Sequence, residues 1–321
     1  MRAGGCLWIL TPPTLRICHD RPASMRRLVL VLLILTLGSP LPAQTVSTRV
    51  GAVTITVDDG LAFPGGLFVV HLMSRHALGA VVASFDGLRC PFFPTRYGLR
   101  ALVPIRPTLA GGVTTLGIEL RARRGRQRVP VQAVIAPREY PPRSVALPDA
   151  KLSLLMRPGG VRQSRQLLLA LRTVSPDRQW RGPFKPPVDS DPVYGFGAPT
   201  RYVGAANVEM ATDSLFGEYH RGMDYLVPAG TVVQAPAAGR VVLAAPQILT
   251  GNTLVIDHGQ GVLSVFFHMS RIDVKEGDWI ESRSPIGLSG DSGIAASPHL
   301  HWAVYVHGVP VDPRVMESLA D

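Results

Sequence analysis

The sequence predicts an all-β protein, a small N-terminal β-sandwich followed by a C-terminal β-sheet or barrel-sandwich domain. Three observations carry this expectation. Short runs rich in Val, Ile, Leu and Thr recur along the chain with Gly- and Pro-containing turns between them. Only one stretch suggests a helix. The 321 residues, 46% hydrophobic and 17% charged, exceed one ordinary domain and supply enough apolar side chains for two cores.

The first element is a targeting segment. Met25-Arg26-Arg27 precedes an apolar stretch over 28–37 and the small or turn-forming residues Gly38 to Ala43, the order of a secretory signal. Residues 1–43 are therefore expected to be removed, with Met25 as the effective start and the protein exported to the periplasm or cell envelope. The apolar stretch is too short for a spanning helix, so no stable membrane span is expected in the mature chain. Cys6 and Cys18 precede the cut, which leaves Cys90 alone and excludes an internal disulfide. Free Cys is among the most buried residue types, and Cys90 is expected as a small apolar core residue.

Residues 44–140 form the expected sandwich, with β runs at 53–57, 67–70, 80–83, 99–105, 113–120 and 129–135. Asp58-Asp59-Gly60, Pro64-Gly65-Gly66 and Gly111-Gly112 supply tight reversals. His71 and His76 stand alone there and read as ordinary strand or loop histidines. Residues 141–195 read as a Pro-rich linker with a helix over 161–174, and Pro183-Phe184-Lys185-Pro186-Pro187 marks its boundary. From 196 to 315 short runs return at 231–233, 239–243, 254–257, 263–267 and 300–306.

The formal net charge is +10, but Met1 to Gln44 holds five Arg and one Asp, leaving 28 basic and 22 acidic residues in the mature chain. The densest basic run, Arg123, Arg124, Arg126 and Arg128, reads as a solvated hairpin tip. It has none of the interleaved aromatics on which a single-strand binder stacks bases, so no nucleic-acid partner is expected.

Six of the nine histidines fall between His220 and His307. His220-Arg221-Gly222-Met223-Asp224 sets an imidazole four residues before a carboxylate, and His299-Leu300-His301 sets two imidazoles at i and i+2. On a strand those two project from the same face and address one point in space. Imidazole with a single carboxylate suits zinc better than calcium or magnesium, and a catalytic zinc needs three such ligands with one position left open. His268 is a further candidate.

In the order of these motifs the sequence resembles the lysostaphin/LytM-type zinc metalloendopeptidases over roughly 196–313. The likeness runs through Phe196-Gly197, His220-Arg221-Gly222-Met223-Asp224, Gly239-Arg240-Val241-Val242, Ile256-Asp257-His258-Gly259, His268-Met269-Ser270, Pro298-His299-Leu300-His301-Trp302 and Val311-Asp312-Pro313. The resemblance implies that His220, Asp224 and His301 hold Zn2+, and that His268 and His299 face the attacking water and the scissile carbonyl. It further implies a zinc-dependent endopeptidase acting on the peptide cross-links of peptidoglycan. The upstream sandwich resembles the immunoglobulin-like regions that precede some of these domains.

Two departures bear on specificity rather than on metal. Ser264-Val265-Phe266 stands where many relatives have Thr-x-Tyr, and Ala295-Ala296-Ser297 where they have Ser-Thr-Gly. His258 reads as structural and His307 as part of a hairpin turn. Two rival readings are a biotinyl or lipoyl carrier, which lacks a suitably placed lysine, and a catalytically inactive scaffold that activates other wall hydrolases. Retention of all five site residues argues against the scaffold.

Overall fold

Alternation of apolar and polar residues builds the N-terminal half. The computed structural model describes residues 45–76, 78–122, 125–156, 160–203 and 219–319, so the expected signal segment lies outside the described residues. Nine strands come first: β1 (Thr45–Val50), β2 (Val53–Asp58), β3 (Leu67–Ser74), β4 (Val81–Phe85), β5 (Leu88–Pro91), β6 (Phe93–Thr95), β7 (Gly98–Pro104), β8 (Gly112–Ala122) and β9 (Gly125–Ile135). They form two facing sheets in the orders β1-β2-β3-β7-β6 and β5-β4-β8-β9. Every second residue points inward, so Val53, Ile55 and Val57 of β2 meet Leu116, Ile118, Val129 and Val131 of the opposite sheet in one apolar core. Cys90 is buried in that core, and burial pushes its thiol up to about 12, as befits an inert packing residue. β8 and β9 pair from Gly112↔Ile135 to Ala122↔Gly125, and Arg126 and Arg128 of the Arg-rich run lie exposed near that end of β9, while Arg123 and Arg124 lie outside the described residues.

Residues 141–195 hold more order than their prolines suggest. Besides α1 (Asp149–Leu152), a 3-10 turn (Ser153–Met156) and α2 (Gly160–Ala170), they contain a strand, β10 (Arg143–Ala146). It pairs in parallel with β11 (Thr200–Val203), from Arg143↔Thr200 to Ala146↔Val203. Four residues with a partner that far along the chain carry little periodic signal, so pattern reading missed β10.

The C-terminal half comprises β12 (Met223–Tyr225), β13 (Val232–Gln234), β14 (Gly239–Gln247), β15 (Gly251–Asp257), β16 (Val262–Met269), β17 (Arg271–Ile272), β18 (Trp279–Ile280), β19 (Pro285–Leu288), β20 (Leu300–Val306), β21 (Val309–Val311) and α3 (Arg314–Ser318). A seven-stranded sheet runs β12-β20-β16-β15-β14-β18, with β21 added to β20, and β13-β19-β17 form a smaller sheet. His307 and Gly308, both at positive φ, make the two-residue turn between β20 and β21.

Parity along β20 assigns the two faces of the large sheet. Leu300, Trp302, Val304 and Val306 join the main core, which also takes in Leu67, Val69 and Leu102 from the sandwich and Trp180 and Phe184 from the segment between. Ala303 and Tyr305 point the other way, where with Leu263 and Val265 of β16 they are covered by Leu167 of α2 and by Leu171 just after it. His299 and His301 belong to this second parity, and the candidate site lies on that face beyond the helix.

Candidate metal centre

Pairing across three strands starts the site. Asp224 on β12 lies directly opposite His301 on β20, and His301 lies opposite Phe267 on β16. Directly opposed residues have Cβ atoms about 4.5–5.5 Å apart, so carboxylate and imidazole meet with no help from flexible segments. Phe267 stacks on the His301 ring at 5.0 Å and fixes its plane. The segment carrying His220 folds back on the same strand. A Cβ on Gly222 would lie 2.4 Å from the Trp302 carbonyl oxygen and 2.8 Å from His301 Nε2, so the central glycine of the His-x-Gly-x-Asp motif is there for close approach.

The three predicted ligands converge. His220 Nε2 is 3.0 Å from Asp224 Oδ1 and 3.1 Å from His301 Nδ1, and His301 Nδ1 is 2.8 Å from the same oxygen. All three residues are buried. His220 Nδ1–H donates to the Gly195 carbonyl at 2.8 Å, which leaves a lone pair on Nε2 of the neutral ring, aimed at a carboxylate oxygen. Two lone pairs so opposed need a proton or a cation between them. A third donor atom on the same point favours a cation, and tetrahedral zinc with bonds of about 2.0–2.1 Å separates its ligand atoms by about 3.3 Å. The residues therefore fit a metal.

Charge follows the same logic. Burial acts to raise the Asp224 carboxyl, but His220 and His301 hold it well below the usual carboxylate range. Burial pushes His301 down to about 4 against the pull of Asp224, keeping the ring neutral and able to ligate. Its Nε2 is buried with no hydrogen-bond partner among the described residues.

His268 and His299 face the same cavity with their rings 4.7 Å apart. His268 Nδ1–H donates to the Ser292 carbonyl at 2.8 Å, so Nε2 is the free basic nitrogen. Burial, with His299 and His301 nearby, holds His268 well below the ordinary histidine value. His268 also sits at φ 62, the left-handed region that costs a residue with a side chain, and such strain collects at functional positions. His299 Nδ1–H donates to the Ser297 carbonyl at 2.7 Å, and its Nε2 lies 3.8 Å from Asp224 Oδ1. The cavity of about 260 Å³ is further lined by Arg143, Tyr194, Tyr202, Tyr219 and Phe267.

All five residues singled out from sequence thus meet around one cavity. The two excluded histidines lie elsewhere. His258 is fully buried, donating from Nδ1 to the Ala238 carbonyl at 2.8 Å and accepting from Ser264 Oγ at 2.9 Å. His307 stacks on Phe93 of the sandwich. Phe266, in the position where relatives carry tyrosine, is fully buried in the main core and does not line the cavity. Arg143 went unpredicted: its Nη1–H donates to Asp224 Oδ2 at 3.0 Å from 81 residues away.

Comparison with known proteins bears on this geometry. Residues 218–313 match peptidase family M23. The peptidoglycan DD-endopeptidase ShyA of Vibrio cholerae is 39% identical over 93 residues, which cover 29% of this chain and 22% of that protein. The DD-carboxypeptidase/endopeptidase Mpg of Neisseria meningitidis is 35% identical over 94 residues, again 29% of this chain and 22% of that one. The matched stretch spans 26% or less of the length of these and the other curated relatives. A crystal structure of an M23-assigned peptidase from Pseudomonas aeruginosa superposes with a TM-score of 0.57 at 27% identity, over 81% of this chain and 96% of that one. The shared fold therefore reaches well beyond the family-matched segment.

Proposed function

We propose that this chain, which carries an M23 peptidase domain over 218–313, is an exported zinc-dependent endopeptidase that hydrolyses peptide cross-links of peptidoglycan. One observation carries the reading: His220 Nε2, Asp224 Oδ1 and His301 Nδ1 converge within 3.1 Å of one another, beside two further imidazoles that open on the same cavity. Two nitrogens and one oxygen suit zinc among the common divalent ions. Bound there, zinc supplies a Lewis acid for the scissile carbonyl and for the attacking water.

The chain's own groups then divide the proton work. His268, held neutral and anchored through Nδ1–H, presents Nε2 to take a proton from the water as its oxygen bonds to the carbonyl carbon. His299, when doubly protonated, can stabilise the developing oxyanion from Nε2–H and return a proton to the departing amine as the C–N bond breaks. Atoms balance: one water is consumed, giving a carboxylate and an ammonium, and the proton taken by His268 replaces, by way of solvent, the one given by His299.

The substrate class is supported by the relatives named as peptidoglycan DD-endopeptidases, and export by the signal-like order at Met25 to Ala43. No described helix is long and apolar enough to cross a membrane. The inactive-scaffold reading is disfavoured, since nothing would keep five polar residues around one cavity once catalysis was lost. Metal analysis of the purified protein, paired with fragment analysis of digested cell walls, tests the proposal. One zinc per chain and cleaved peptide cross-links are expected. Absence of zinc, or zinc undiminished in His220→Ala, would overturn it.

A further inference from the structure

We propose that Arg143 is a positioning residue of the metal centre, supplied by the segment between the two domains, which restricts Asp224 to a single ligating oxygen. This rests on the zinc reading above. Arg143 Nη1–H donates to Asp224 Oδ2 at 3.0 Å, while Asp224 Oδ1 is the oxygen that faces His220 and His301. Both side chains of the Arg143–Asp224 pair are largely buried, at 15% and 9% exposure. With Oδ2 engaged, the carboxylate can offer a metal only Oδ1, and the position a bidentate carboxylate would take stays open for water or substrate.

The guanidinium is itself fixed. Arg143 Nε–H donates to Thr200 Oγ1 at 3.0 Å, and its plane lies over the Tyr194 ring at 5.2 Å. Thr200 Oγ–H in turn donates to the Ala198 carbonyl at 2.9 Å, the same oxygen that accepts the His220 backbone N–H at 2.8 Å. The Asp224 N–H donates to the Tyr194 carbonyl at 2.9 Å. Residues 194–200 thus hold the backbone of two ligands and the side chain that orients one of them. The parallel pairing of β10 with β11 brings Arg143 to this place, although it lies well outside the family-matched segment.

Two effects oppose each other. A fixed cation near a divalent ion weakens binding through repulsion; a clamped carboxylate strengthens it by removing rotational freedom. The guanidinium touches the far oxygen, with the carboxylate's own charge between it and the ion, so the clamp should win. Outer partners of metal ligands commonly contribute about 10–100-fold in affinity.

The test compares full-length wild type with Arg143→Ala, Arg143→Gln and Arg143→Lys, using zinc affinity by chelator competition and visible absorption after cobalt substitution. Circular dichroism of the metal-free proteins establishes that each variant folds. Arg143→Ala is expected to bind zinc about 10–100-fold more weakly and to shift the cobalt spectrum toward the weaker bands of higher coordination. Arg143→Lys, with one nitrogen for two acceptors, should recover part of the loss. Wild-type affinity and spectrum in Arg143→Ala, or tighter binding in the neutral Arg143→Gln, would overturn the proposal while leaving the zinc reading intact. A wild type that binds no zinc would overturn both. If Arg143→Ala does not fold, Arg143→Gln and Arg143→Lys decide alone.

Discussion

The two halves of the molecule are built from similar strands but differ in what they bury. Among the described residues, Arg100 is the sandwich's one fully buried polar or charged side chain, whereas thirteen lie at or after His220. An apolar core asks only for volume and shape, and many side-chain sets satisfy it. A core that contains imidazoles, carboxylates and hydroxyls asks each for a partner at the right distance, because an unmet buried polar group costs about 1–3 kcal/mol. The C-terminal half has accepted that constraint, and four of its buried polar groups, His220, Asp224, His268 and His301, gather around the candidate metal centre. Changes in the sandwich should therefore register as stability, and changes in the C-terminal half as chemistry.

The sharpest way to break this contrast is to remove a ligand. His301→Ala should lose stoichiometric zinc and wall hydrolysis together, measured by metal analysis and a zymogram. If His299→Ala lost the metal while His301→Ala kept it, the roles of the two strand neighbours would be exchanged. Next come the residues proposed to handle protons: His268→Ala and His299→Ala should keep near-stoichiometric zinc while hydrolysis falls about 10²–10⁴-fold. Full activity in both would favour the scaffold reading.

On the other side of the comparison, Phe68→Ala in the sandwich removes a fully buried ring packed edge-on against Phe85. It should lower unfolding stability by about 3–5 kcal/mol, read by urea titration, and leave zinc affinity unchanged. Weaker zinc binding in the folded variant would mean the sandwich reaches into the site.

The smallest effect concerns acid. Burial holds His258 down to about 4 in the folded protein, while the unfolded chain takes up the proton near 6.5. Stability from this group is complete above pH 6.5, declines as pH falls toward 4 because only the unfolded state binds the proton, and changes no further below that. The loss amounts to about 3 kcal/mol at most. Urea midpoints between pH 7 and pH 4.5 should fall more steeply in wild type than in His258→Gln, and equal slopes would remove His258 as the cause.

The longer strands of the sandwich were legible from their β-rich runs and His299 and His301 from i and i+2 parity, whereas β1, β5 and β6 were missed and the grouping of the five candidate site residues came from the order of the motifs. What else escaped has no local trace. Gly195, Ser292 and Ser297 act through backbone carbonyls, which every residue possesses. Arg143 acts through a pairing with Asp224 that only the folded chain creates, from a stretch whose prolines suggested a linker. The concern over the missing tyrosine hydroxyl at Phe266 came from a motif read without its side-chain direction, and parity on β16 sends that ring into the core.

The shared core has a consequence for how the protein melts. Leu67, Val69 and Leu102 of the sandwich pack into the same cluster as Met223, Tyr225 and Trp302. At the same seam the Asp312 N–H donates to the Gly65 carbonyl at 2.8 Å, and Arg138 pairs with Asp312 at 3.2 Å. Neither half can unfold without baring apolar surface on the other, so heating should yield one calorimetric transition whose enthalpy matches its van't Hoff value. The gap between the halves in sequence is then no gap in cooperativity, and a C-terminal fragment cut at the prolines of 183–187 would leave its partner's share of the core facing water.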